Sequence, residues 1–184
     1  MHCLLKFMLV SWVVFLLPLV VVADDSPLLN VHQQVIKSYP GVNHIGTQEV
    51  EHMLEADANG VILFDVRKPK EYAVSHIKGA IYVSPKIGQK EFLNLYGDTV
   101  KGKTVVFYCS VGHRSSKLSK RVQDALHEKG AIQSYNMKGG LFAWHNELRP
   151  LENAQSETQL IHPYNRRWGK LVDRKSLTSY SPPE

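Results

Sequence analysis

The sequence predicts an α/β domain, a central and mostly parallel sheet with helices on both faces. Two observations carry this. Short apolar runs at residues 61–64, 80–83, 104–108 and 131–136 alternate with stretches of helical character, the order expected of successive β-α-β units. The run Val61-Ile62-Leu63-Phe64 is continuous rather than alternating, as expected of a strand buried on both faces.

The elements follow in order. Ser26-Pro27 is a helix start, with the hydroxyl as N-cap and proline at the first helical position, and Leu28, Val31, Val35 and Ile36 follow near helical spacing. Thr47 is expected to cap a second short helix whose Val50, Met53 and Leu54 share a face. Asp57-Ala58-Asn59-Gly60 breaks the chain in a turn before the first strand. Residues 69–74 read as a short helix, 80–83 as a strand, 86–95 as a helix and 104–108 as a strand. Residues 116–129 place Leu118, Val122, Ala125 and Leu126 on one side and charges elsewhere, an amphipathic helix stopped by Gly130. Residues 131–136 form the next strand, and Gly139-Gly140 turns into a last helix, 141–148, that ends before Pro150.

Four segments result. Residues 1–23 read as a signal peptide: Lys6 precedes an uncharged run over 7–22, and Val21-Val22-Ala23 precedes Asp24-Asp25. That run falls short of the roughly 20 residues a membrane-spanning helix needs, and Pro18 interrupts it. Cleavage would leave a periplasmic or secreted protein beginning near Asp24, without stable membrane insertion. Residues 24–45 form a helical extension, 46–151 the domain, and 152–184 a tail that mixes bases with Tyr164 and Trp168. The tail is expected to dock its aromatic residues and leave its charges in water. Within it, residues 162–175 carry five basic residues against Asp173 alone, most of the excess of 22 basic over 17 acidic residues. The rest of the chain after residue 23 is balanced, which argues against a nucleic-acid-binding fold.

Chemistry concentrates at Cys109-Ser110-Val111-Gly112-His113-Arg114-Ser115, between a strand and a helix. Once residues 1–23 are set aside, Cys109 has no other cysteine to pair with. Backbone N–H groups in such a loop, backed by a helix N-terminus, form a concave cradle for anions, and the same dipoles hold a thiol as thiolate. Gly112 permits the turn, Ser115 is expected to cap the helix, and Arg114 is expected at the rim as a cation suited to a dianion such as thiosulfate. His113 sits where its charge near pH 7 is open. The catalytic residue is therefore Cys109, with Ser110, Val111, Gly112, His113, Arg114 and Ser115 around the substrate.

These residues resemble the active-site loop of single-domain rhodaneses, the thiosulfate sulfurtransferases. The likeness extends to Leu63-Phe64-Asp65-Val66-Arg67 with Glu71-Tyr72, to His76-Ile77-Lys78-Gly79-Ala80-Ile81, and to Lys138-Gly139-Gly140-Leu141-Phe142-Ala143-Trp144, in family order over about residues 46–151. A His162-Pro163-Tyr164-Asn165 tail is similar to that of exported bacterial rhodaneses. The resemblance implies a rhodanese-like α/β domain in which Cys109 carries a persulfide, takes sulfur from a small anionic donor and gives it to cyanide, a thiol or a protein acceptor, with no cofactor.

Asp65 is a near-site candidate, and Arg67 is expected in a structural ion pair, for example with Glu71. His76 is expected to hold its own turn and Trp144 to fill core. No HExxH, CxxC or His-x-His cluster supports a metal site. Two alternatives stand beside sulfur transfer. One is a persulfide-delivery or redox-sensing module serving a protein partner through the tail. The other is a cysteine-loop phosphatase or arsenate reductase, whose loops place one more residue between cysteine and arginine.

Overall fold

The computed structural model describes residues 26–182; the expected signal segment lies outside them. Five parallel strands form the sheet: β1 (His44–Ile45), β2 (Val61–Asp65), β3 (Ile81–Tyr82), β4 (Thr104–Tyr108) and β5 (Gln133–Met137), in the order β1-β5-β4-β2-β3. Between them run α1 (Pro27–Ser38), α2 (Thr47–Asp57), α3 (Pro69–Val74), α4 (Gln89–Tyr96), α5 (His113–Glu128) and α6 (Gly140–Asn146). The hairpin β6 (Leu151–Glu152) and β7 (Glu157–Thr158) follows.

Side-chain alternation along β2 and β4 divides the core between two faces. Leu63 pairs with Val106 and joins Val50 of α2 and Leu141, Phe142 and Trp144 of α6. Ile62 pairs with Val105 and Phe64 with Phe107, and these meet Phe92 of α4 and Leu118, Val122 and Leu126 of α5. The rings of Phe64, Phe92 and Tyr96 pack edge-on with centroids about 5 Å apart, a favoured arrangement. Both central strands therefore need continuous apolar sequence, which is what residues 61–64 and 105–108 supply.

The flanking segments belong to the same core. Ser26 caps α1 by accepting from the Leu29 N–H, and Val35 is buried while Leu28 and Val31 pack on the α2–α6 side. Ile161 and Val172 from the C-terminal segment are also buried there. Arg166 and Arg167 are exposed.

Several expectations are corrected. Gly46, not Thr47, occupies the N-cap of α2; Thr47 lies inside the helix and donates its hydroxyl hydrogen bond to Glu147. Helix α5 begins at His113, three residues before the expected start at residue 116, because Gly112 at φ 94° reverses the chain directly into it. Ser115 is consequently a first-turn residue and no cap. Strand β1 is too short to show a pattern, and the expected tail begins with the second half of a hairpin, whose return strand is β7.

Arg67 pairs with Asp65, not Glu71. Its guanidinium meets the Asp65 carboxylate at 2.6–3.0 Å with both side chains wholly buried, and it also donates to the Ser75 carbonyl. Asp65 accepts from the Arg67 backbone N–H as well, 3.0 Å away. Removing one member of such a pair strands a buried charge. Asp65→Ala should therefore lower unfolding stability by about 3–5 kcal/mol in urea titration; a loss within experimental error would show that the pair contributes nothing net.

Candidate active site

The site stands at the carboxyl end of β4, the position where open α/β sheets bind ligands. Val66 donates its N–H to the Tyr108 carbonyl, and the Cys109 loop then curls into α5. Helix α6 holds the loop from behind: the N–H of Leu141 donates to the Cys109 carbonyl at 2.8 Å and that of Phe142 to the Ser110 carbonyl at 3.0 Å. Approach this close requires glycine at 140, since a Cβ there would lie 2.3 Å from the Cys109 carbonyl oxygen.

Cys109 is 1 % exposed, and its sulfur is a buried anion site. Burial by itself raises the thiol's pKa. The charge of Arg114 outweighs that, with help from hydrogen bonding by Ser115 and by the N–H of Val111, and the thiol lies below its ordinary value. The Gly112 N–H also donates to Sγ at 3.2 Å. The Ser115 hydroxyl has a competing engagement, donating to Asn136 Oδ1 at 2.6 Å. Asn136 in turn donates through Nδ2 to His44 Nδ1 at 3.2 Å, which fixes its oxygen toward Ser115. With that proton committed to Asn136, the Arg114 charge and the backbone N–H groups are the main source of thiolate stabilisation.

Arg114 is not the unpaired rim cation expected from the loop. Its two terminal nitrogens donate to the two oxygens of Glu71 at 2.8 Å each, and one also reaches Ser110 Oγ at 3.0 Å. This is the fork-on-fork geometry that makes arginine–carboxylate pairs strong. Glu71 is buried, which would raise its pKa, but the hydrogen bonds and charge of Arg114 prevail and lower it to about 2. Ser110 donates to the same carboxylate at 3.0 Å. Glu71 is thus a site residue that sequence reading assigned to Arg67; only folding brings it to Arg114.

The remaining positions fall as follows. Val111 and Gly112 are buried in the loop, and His113 is exposed beside it. Burial, Lys117 and Arg114 all lower the His113 pKa, keeping the ring neutral near pH 7. The Tyr39 hydroxyl, from the end of α1, lies 3.3 Å from His113 Nδ1. Asp65 is adjacent to the site through Tyr108, its register partner, but its carboxylate is committed to Arg67. A cavity of about 200 Å³ opens over the sulfur, lined by Cys109, Ser110, Val111, His113, Arg114, Tyr164 and Trp168. Neither Tyr164 nor Trp168 was an expected site residue; their signals were the aromatic character of an otherwise basic segment and, for Tyr164, the His162-Pro163-Tyr164-Asn165 likeness.

The structure thus sets a buried thiol of lowered pKa among N–H donors, next to a paired arginine and facing a small cavity, on a parallel α/β fold. The rhodanese-like domain model matches residues 47–147, more than half of the chain, and the chain belongs to that family. It is 30 % identical over 115 residues to the uncharacterized protein YqhL of Bacillus subtilis, covering 62 % of this chain and 85 % of YqhL. It is 31 % identical over 91 residues to the probable adenylyltransferase/sulfurtransferase MoeZ of Mycobacterium tuberculosis, covering 48 % of this chain and only 21 % of MoeZ. Among solved structures, a Rhodopseudomonas palustris protein of unknown function, described as a possible tyrosine phosphatase, shares the fold at TM-score 0.50 and 21 % identity, over 71 % of this chain and 97 % of that one. The As–Sb reductase of Leishmania major does so at TM-score 0.50 and 18 % identity, over 57 % and 78 %.

Two outcomes follow from the electrostatics. Alkylation of the native protein by a small uncharged reagent should titrate with a midpoint below the ~8.5 of a free thiol, and Arg114→Met should move it up; an unmoved midpoint would remove Arg114 as the cause. Glu71 has a folded pKa below its unfolded one, so it contributes stability that is complete above the unfolded value of ~4.3. That contribution is lost as pH falls from about 4 toward 2. Over this window the stability of Glu71→Gln should depend less steeply on pH than that of the parent, as measured by denaturant titration at several pH values.

Proposed function

We propose that the protein is a sulfurtransferase that carries a sulfane sulfur on Cys109. The observation that carries this reading is the Cys109 sulfur itself: a thiol lowered below its ordinary pKa, in contact with the Gly112 N–H and open to a small cavity. In the first half-reaction the thiolate attacks the outer sulfur of a donor such as thiosulfate. The new bond joins Sγ to that sulfur, the donor's S–S bond breaks, and its electron pair leaves with sulfite. In the second, a thiophilic acceptor such as cyanide or a thiol takes the outer sulfur and the thiolate returns. The lowered thiol pKa reduces the need for a general base, and among the described residues no histidine is in hydrogen-bond contact with Sγ. The sulfurtransferase in the description of MoeZ supports the same class of chemistry.

Phosphoryl transfer is less well supported. Four residues separate Cys109 from Arg114, and the arginine's terminal nitrogens are committed to Glu71, leaving no free fork for a tetrahedral oxyanion. Delivery to a protein partner would need that partner's thiol to reach a sulfur that is 1 % exposed. Export through residues 1–23 is proposed on the sequence alone.

The test is direct. Treatment with a sulfane donor should add one sulfur atom to the Cys109 peptide by mass spectrometry, and cyanide should then yield thiocyanate. Cys109→Ser should abolish both while leaving the far-ultraviolet dichroism unchanged. Release of phosphate from an aryl phosphate, with no thiocyanate from any donor, would replace this reading with the phosphatase one.

A further inference from the structure

Tyr164 and Trp168 lie outside the matched domain, yet they form the outer wall of the Cys109 cavity. The segment that carries them is firmly built. Ile161, His162 and Pro163 are buried, the Tyr164 N–H donates to His162 Nδ1 at 2.9 Å, and Ser179 donates its N–H to the Ile161 carbonyl at 3.0 Å. A short 3-10 turn, Trp168–Leu171, is held by Lys175, whose ammonium donates to the carbonyls of Gly169 and Lys170. Tyr164 sits at φ 62°, a conformation that a non-glycine residue keeps only when its surroundings hold it.

This wall changes what the site can accept. The Tyr164 ring lies with its centroid 4.9 Å from the Arg114 guanidinium carbon, covering the arginine whose terminal nitrogens already serve Glu71. Glu71 also balances the Arg114 charge. A hydrated dianion entering the cavity would lose water against Val111, Tyr164 and Trp168, while the arginine that lines it is already paired with Glu71, and such poorly compensated desolvation is costly. An apolar substituent would instead displace water from the aromatic surfaces. The volume, about 200 Å³, is below the ~300–1,000 Å³ of clefts for drug-sized ligands, so that substituent must be small.

Building on the sulfurtransferase reading, we propose that Tyr164 and Trp168 are specificity-determining residues that select a sulfane sulfur carried on a small organic group, as in a thiosulfonate R–SO₂–S⁻, over inorganic thiosulfate. The Cys109 thiolate attacks the terminal sulfur, the thiosulfonate S–S bond breaks, and the electron pair leaves with the sulfinate R–SO₂⁻. The product is the Cys109 persulfide, and no oxidant or reductant is consumed. The organic group lies against the two rings while the terminal sulfur enters the ring of N–H groups.

The experiment measures thiocyanate formation by the full chain with methanethiosulfonate, benzenethiosulfonate and thiosulfate as donors and cyanide as acceptor, with kcat and KM determined separately. The parent protein should favour the better organic donor over thiosulfate by about tenfold or more in kcat/KM, the order expected for one extra apolar contact. Trp168→Ala and Tyr164→Asn, the latter chosen because asparagine tolerates a positive φ, should reduce that preference by about tenfold, chiefly through a higher KM for the organic donor. Equal or better use of thiosulfate by the parent protein overturns the proposal without reference to any variant. So does an unchanged preference in variants whose thermal melting shows them folded. Absence of added sulfur on Cys109 with all three donors would instead overturn the sulfurtransferase reading on which the selectivity rests.

Discussion

The pairing of Glu71 with Arg114 is the constraint on which the rest of the site depends. A carboxylate taken out of water is held ionised only because an arginine meets both of its oxygens, and that arginine is in turn the charge that keeps the buried Cys109 sulfur below its ordinary pKa. Burial acts against every member of this chain. Burial alone would raise the pKa of both the thiol and the carboxylate. Their mutual stabilisation therefore has to be set by geometry, and the short α3 helix and the first turn of α5 supply it from opposite sides.

The scaffold provides that geometry through rigid elements. Continuous apolar strands β2 and β4 end side by side at Asp65 and Tyr108, so the two loops that follow leave the sheet at the same level. One loop is tied down by the Asp65–Arg67 pair, the other by the N–H groups of α6 beneath Cys109 and Ser110. Each tie satisfies polar groups that the surrounding core would otherwise leave stranded. The sulfur thus faces outward into a cavity whose floor is fixed by backbone hydrogen bonds.

Part of the wall of that cavity comes from outside the shared domain. Tyr39 reaches His113 from the N-terminal extension, and Tyr164 and Trp168 arrive from the C-terminal segment. The family fold and the chemistry of its loop are thereby separated from the choice of what approaches it. A domain of this kind can keep one nucleophile and change its substrates by changing the segments appended at its ends.

How much of this was legible in the chain varies with the distance over which each feature is decided. The continuous run Val61-Ile62-Leu63-Phe64, the cap at Ser26-Pro27, the amphipathic face of Leu118, Val122 and Leu126, and the Cys109 loop are all local in sequence. Local patterns report periodicity, capping and loop length directly. The start of α5 was misread because His113, Arg114 and Ser115 carry no apolar periodicity, and the conformation of Gly112 decides the boundary.

Partner choice among charges was beyond sequence reading. Arg67 had Glu71 four residues away and Asp65 two away, while Arg114 lay 43 residues from the carboxylate it binds. By itself the sequence determined the strand–loop–helix order and the place of Cys109 in that loop, since both rest on neighbours along the chain. Tertiary structure alone decided which carboxylate meets which arginine and that distant aromatic residues roof the thiol, because burial and charge pairing act between groups that only folding brings within a few ångströms.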